Sequence, residues 1–176
     1  MADIYLSLGS NIDRERHIVA ALDSLDREFG PLVLSSVYES EAVGFEGDTF
    51  FNLVVGIRSA LSVSELSKKL KNIELANGRD HSAPRFSSRS LDIDILTVDN
   101  LVGEYSGVQL PRDEVLKNAF VLLPLQEIAP DVCHPVSGQS YSQHWGEYDR
   151  EKQKLWPIEF IWRGKHLTKN REKNDQ

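Results

Sequence analysis

Apolar positions along this chain switch repeatedly between two spacings. Residues 4–8, Ile-Tyr-Leu-Ser-Leu, alternate as a half-buried strand does, and Gly9-Ser10-Asn11 ends the run. From 13 to 29 the period changes: Ile18, Ala21, Leu22, Leu25 and Phe29 recur every three or four residues. That spacing predicts a helix with Asp13 as N-cap and Gly30-Pro31 as the stop. Residues 32–38, rich in Val, Leu and Ser, predict a second strand, and residues 50–59 a third. The loop from 39 to 48 holds two glycines and is longer than a hairpin needs, which makes it a candidate binding loop. Ser62 with Glu65 three residues on forms a capping box, opening a helix whose Leu66, Leu70 and Ile73 share a stripe until Gly78. Residues 91–96 alternate apolar and acidic, and 102–110 predict a short strand pair. Residues 113–127 have helical spacing through Val115, Phe120, Leu123 and Leu125, with Pro124 expected to kink or restart the helix.

The order strand, helix, strand, strand, helix, strand predicts an α+β fold, a ferredoxin-like βαββαβ core whose sheet carries helices on one face. With 176 residues, 40% of them hydrophobic, the chain can bury one sizeable core. We place that domain at 1–145 and a C-terminal extension at 146–176. In the extension, 149–154 read as a solvated helix face, and 165–176 are expected to fray. The apolar, aromatic run 155–162 is expected either to add a strand to the sheet or to offer a patch to a second subunit, with a monomer the simpler state.

Charge and composition narrow the partners. A net charge of −7 argues against nucleic acid. No run approaches the roughly 20 apolar residues of a membrane span, and the N-terminus lacks a leader pattern. One cysteine, Cys133, excludes an intramolecular disulfide framework and fits a reducing, cytoplasmic setting.

The candidate chemistry concentrates in residues 78–96. A strand's period of two puts Asp92 and Asp94 on one face with Leu91, Ile93 and Ile95 on the other, the two aspartate Cα atoms about 6.5–7 Å apart. Carboxylates held that close repel, so one takes a proton unless a cation sits between them. Oxygen ligands on a rigid strand suit Mg²⁺, and Arg79, Arg85 and Arg89 upstream supply forks for phosphate. On spacing alone the alternative is a solvated edge strand beside surface arginines. A positive island in an acidic chain fits a small anionic ligand. His81 lies in that island, and Asn52 sits inside an apolar strand, where a buried amide must find partners.

Five dispersed motifs then carry a resemblance: Gly9-Ser10-Asn11; Tyr38-Glu39-Ser40 with Phe50-Phe51-Asn52; Glu74 with Gly78-Arg79; Arg89-Ser90-Leu91-Asp92-Ile93-Asp94; and Phe120-Val121-Leu122-Leu123-Pro124-Leu125 with Glu127-Ile128-Ala129-Pro130. Together they resemble 6-hydroxymethyl-7,8-dihydropterin pyrophosphokinases of the folate pathway, in order and over residues 4–135. The resemblance implies ATP and a reduced pterin as substrates, with two Mg²⁺ ions on Asp92 and Asp94. It implies Arg79 and Arg89 as catalytic residues beside that pair. Glu74, Arg79, His81, Phe86, Arg89 and Arg112 are implied at the nucleotide, and Ser40, Val43, Phe50, Asn52 and Phe120 at the pterin. The chain also departs from the family: Phe86 replaces a tryptophan, Arg112 a histidine and Asn118 an arginine, and the family's loop prolines are missing beside Ser40. Two readings follow, an active pyrophosphokinase and a divergent member that binds nucleotide or pterin with weak or altered activity.

Overall fold

Burial alternates along strand β1 (Ala2–Ser10), with Ile4, Leu6 and Leu8 covered on one face and Tyr5 and Ser7 on the other. The computed structural model describes residues 1–42, 47–78 and 90–169. After β1 come α1 (Arg14–Phe29), β2 (Val33–Leu34), β3 (Val37–Ser40), β4 (Phe50–Ser59), α2 (Val63–Ala76) and β5 (Asp92–Val98). The hairpin β6 (Gly103–Tyr105) and β7 (Val108–Leu110) leads to three short helices, α3 (Glu114–Lys117), α4 (Ala119–Ile128) and α5 (Tyr141–Glu147). The chain then runs through β8 (Leu155–Ile158), β9 (Ile161–Trp162) and β10 (Lys165–His166).

The main sheet is antiparallel in the order β5-β1-β4-β3-β8, with β2 also paired to β4. Its strands β5, β1, β4 and β3 have the βαββαβ arrangement expected from the element order. Helices α1 and α2 cover one face, where Ile18, Leu22, Leu25, Leu66 and Leu70 meet Ile4, Leu6, Leu8, Leu53 and Ile93. The expectation of helices on one face is incomplete. Residues of α3, α4 and α5 pack against Val54 and Leu96 on the opposite face and form a second core with Tyr141. Among the described residues no helix is long and apolar enough to cross a membrane.

Several boundaries differ from the periodicity for physical reasons. Asp13 occupies the N-cap position in a left-handed conformation and makes no side-chain cap bond; its carboxylate pairs with Arg16 at 2.7 Å. The predicted second strand breaks at Ser35-Ser36, because the Glu127 carboxylate enters there and accepts from the Ser36 N–H at 2.7 Å and hydroxyl at 2.6 Å. The long helix of 113–127 divides at Asn118, which is extended, while Pro124 sits inside α4 without ending it. The N-cap half of the capping box is present, with the Ser62 hydroxyl accepting from the Glu65 N–H at 3.2 Å and donating to Glu65 Oε1 at 3.2 Å.

The C-terminal extension is built into this fold. β8 pairs with β3, and Phe160, Trp162 and Leu167 lie in the same core as α1 and α2. The 149–154 run is turn and coil, not the solvated helix expected from its charges. Residues 165–169, expected to fray, include strand β10 and the buried Leu167.

Candidate functional site

The register of the sheet assembles a row of side chains on the face that carries the second core. Asp92 pairs with Gly9, Gly9 with Asn52 and Asn52 with Tyr38, while Asp94 pairs with Ser7 and Ser7 with Val54. Paired residues share a face, so the two aspartates, Asn52 and, two residues along, Phe50 and Ser40 all project to one side. Adjacent strands lie about 4.8 Å apart, which puts Asn52 roughly 10 Å from Asp92 across the sheet. Gly9 fills the position between them with no side chain. A Cβ there would stand 3.3 Å from Asn52 Oδ1 and 3.8 Å from the Phe50 ring. The register therefore leaves a trough floored by Gly9, with carboxylates at one end and a carboxamide at the other.

Two devices hold the aspartate strand. β5 is the sheet's edge, and its outward Ile93 N–H, between the two aspartates, donates to Glu74 Oε2 at 2.8 Å. Glu74 reaches it from α2 and is itself buried. A bulge between Tyr5 and Leu6 in the β1–β5 register leaves Leu96 unpaired, and the Leu96 carbonyl accepts from the Arg112 N–H at 2.8 Å. That bond brings Arg112 over the site, with Nη2 3.4 Å from Asp94 Oδ1 and Nε donating to Glu114 Oε2 at 3.0 Å.

Burial pushes the Asp94 carboxyl up to about 8, and the Asp92 charge adds to this against the opposing pull of Arg112. A site that disfavours its own negative charge suits a cation. The residues present fit Mg²⁺: two carboxylates on one rigid face, with the backbone between them held by Glu74.

At the other end of the trough the Asn52 Nδ2 donates to the Ser40 hydroxyl at 2.7 Å, and both residues are buried. The turn after β1 secures the loop beside them. Asn11 Nδ2 donates to the Asp48 carbonyl at 3.2 Å, and Arg14 Nη1 donates to Glu39 and to the Thr49 hydroxyl, each at 2.6 Å. Arg14 also lies 3.9 Å over the Phe51 ring. Phe120 is half-buried on the first turn of α4, a helix packed on β4 and β3 on this same side of the sheet.

The structure thus brings together Ser40, Phe50, Asn52, Asp92, Asp94 and Arg112 around one trough, with Phe120 on the helix beside it and Glu74 behind the strand. Val43, Arg79, His81, Phe86 and Arg89 lie outside the described residues. The stems on either side of 79–89 are neighbours, with a Cβ on Gly78 coming within 3.8 Å of the Ser90 hydroxyl. Sequence reasoning did not find the role of Gly9, which depends on strand pairing, nor the contact of Glu74 with Ile93, which depends on how α2 packs. Asn118 is held by the C-terminal extension, its Oδ1 accepting from Gln153 Nε2 at 2.8 Å.

Comparison with known proteins bears on this arrangement. Residues 5–130 match the family model of 7,8-dihydro-6-hydroxymethylpterin-pyrophosphokinase. The chain is 37% identical over 138 residues to a 2-amino-4-hydroxy-6-hydroxymethyldihydropteridine pyrophosphokinase of Aquifex aeolicus, covering 77% of this chain and 86% of that one. It is 39% identical over 140 residues to the enzyme of that name from Porphyromonas gingivalis, covering 74% and 92%, and 33% identical over 156 residues to that of Bacillus subtilis, covering 86% and 89%. Among solved structures it resembles the wild-type HPPK-DHPS of Plasmodium falciparum with a TM-score of 0.64 at 14% identity, over 84% of this chain. This chain spans 44% of that longer one, and the likeness speaks to the fold.

Proposed function

The chain belongs to the 7,8-dihydro-6-hydroxymethylpterin-pyrophosphokinase family, and from that premise we propose how its own residues carry the reaction. The reaction is pyrophosphoryl transfer from ATP to 6-hydroxymethyl-7,8-dihydropterin, a step of folate biosynthesis that yields the pterin diphosphate and AMP. The family match and relatives at 33–39% identity do not favour the alternative of a divergent binder.

The observation that carries the residue assignments is the row Asp92, Gly9, Asn52 on one sheet face. The pterin lies over Gly9 with its amide edge at Asn52 and its hydroxymethyl group toward the aspartates. Ser40 fixes the Asn52 carboxamide by accepting one of its protons, which leaves Oδ1 aimed over Gly9. Phe50 and Phe120 stack on the ring, and Val43 belongs to the loop beside it. Asp92 and Asp94 would hold two Mg²⁺ ions, whose chemistry is to neutralise phosphate charge and align the attacking and leaving oxygens. The hydroxymethyl oxygen bonds to the β-phosphorus and loses its proton, and the bond from that phosphorus to the bridging oxygen breaks as AMP departs. Arg79, Arg89 and Arg112 grip the phosphates, with His81 and Phe86 at the nucleotide. Glu74 we assign to the strand that presents the aspartates, since its carboxylate holds the Ile93 N–H. Binding and orientation are this chain's share of the work.

A cytoplasmic monomer fits these residues. Cys133 is a free, exposed thiol, and of the 155–162 run β8 pairs with β3 and Phe160 and Trp162 enter the core of their own chain, while Trp156 and Ile161 stay exposed. The test is direct. The protein mixed with ATP, Mg²⁺ and the reduced pterin releases AMP, and Asp94→Ala lowers that rate about a thousandfold or more. ATP binding with no AMP formed would sink the function, and an Asp94→Ala rate within tenfold of wild type would place the metals elsewhere.

A further inference from the structure

The run Asp149-Arg150-Glu151-Lys152-Gln153-Lys154 is exposed except at one residue, Gln153, which is half-buried. Its side chain faces the joint between α3 and α4. Oε1 accepts from the Ala119 N–H at 2.8 Å, and Nε2 donates to Asn118 Oδ1 at 2.8 Å. A backbone N–H can only donate, so the first bond fixes which way the carboxamide points. Five residues earlier, the Tyr148 hydroxyl donates to the Lys117 carbonyl at 2.7 Å. One strap therefore grips residues 117, 118 and 119 in succession.

These bonds replace a local device. The Ala119 N–H opens α4 and has no partner inside the helix. Asparagine ranks among the best N-caps, yet the Asn118 side chain makes no cap bond, and its oxygen is engaged by Gln153. Gln153 thus caps α4 from a segment 34 residues away. The next residue of α4 is Phe120. Two residues beyond Gln153, Leu155 pairs with Ser40 on β3, the partner of Asn52. The strap is joined to the helix that carries one wall of the trough and to the strand that carries the other.

We propose that Gln153 is a positioning residue for the acceptor: through the cap on α4 and the pairing of β8 it sets Phe120 against the Ser40–Asn52 wall. This rests on the assignment of Phe120, Ser40 and Asn52 to the pterin made above. It also gives Asn118 a task of its own, because its carboxamide serves the strap.

Steady-state kinetics with ATP, Mg²⁺ and 6-hydroxymethyl-7,8-dihydropterin tests the proposal. Gln153→Ala removes both bonds and raises the pterin KM about tenfold, with kcat and the ATP KM changed less than about twofold. Gln153→Glu restores the pterin KM, since its carboxylate accepts from the Ala119 N–H at a helix start and Asn118 can turn to donate. Tyr148→Phe keeps the ring, loses the bond to Lys117, and moves the pterin KM the same way by a smaller factor. A Gln153→Ala pterin KM within twofold of wild type, a rise shared equally by ATP, or no recovery in Gln153→Glu overturns the inference. A wild-type protein that forms no AMP overturns the assignment of the site and this inference with it.

Discussion

A carboxyl pushed up to about 8 is largely protonated at neutral pH, so a cation that binds Asp94 must displace a proton. The sign for stability follows. Between the ordinary carboxylate range and about 8, the folded metal-free chain keeps a proton on Asp94 that the unfolded chain has lost. Its contribution to stability is present at low pH and is lost as pH rises through that window. Mg²⁺ affinity moves the opposite way, rising by up to about tenfold per pH unit and levelling above 8. Calorimetric titration of Mg²⁺ across this window should show that rise together with proton release, and a flat profile with no proton released would show that Asp94 is already ionised. Gly9 belongs to the same scale, because what it contributes is the space its missing side chain leaves between Asp92 and Asn52.

Among the described elements, β5 joins the sheet through β1 alone and leaves an outward backbone edge covered by a helix. Glu74 of α2 meets the Ile93 N–H there, so removing its carboxylate strands a buried donor at the centre of the aspartate pair. Glu74→Ala is expected to cost about 1–3 kcal/mol in urea unfolding, and Glu74→Gln, which keeps an acceptor, to recover most of it. A Glu74→Ala midpoint equal to wild type would show that the Ile93 bond is replaced by water. This element also marks what the sequence could and could not convey. The alternation of Leu91 to Leu96 reveals two aspartates on one face because a strand's period is local. Phe50–Ser59 was legible end to end, since a long apolar strand between turn residues has few alternatives. The split of the second strand was not, because Glu127 causes it from α4, and the helix break at Asn118 was not, because Gln153 holds it from the strap. The aspartates could be found by counting, whereas the trough over Gly9 required knowing which strands pair.

At the scale of the whole molecule, the C-terminal extension supplies part of the core that the βαββαβ unit packs around. Phe160, Trp162 and Leu167 are each under 10% exposed within the core of α1 and α2, and Trp162 and Arg163 both donate to Asp23 on α1. Burying three such side chains contributes about 5–9 kcal/mol at 1.5–3 each, comparable with the 5–15 of a whole domain. β8 also covers the β3 edge that ends at Ser40, and an uncovered strand edge invites pairing between chains. A chain ending at residue 147 should therefore lose cooperative unfolding and aggregate, even though it keeps every residue assigned to ATP, metal and pterin. Circular dichroism melting and light scattering of the shortened chain check this. A soluble product with a melting midpoint within about 5 °C of full length would mean that the extension adds little to the core, leaving α1, α2 and the inner strands to hold the aspartate pair.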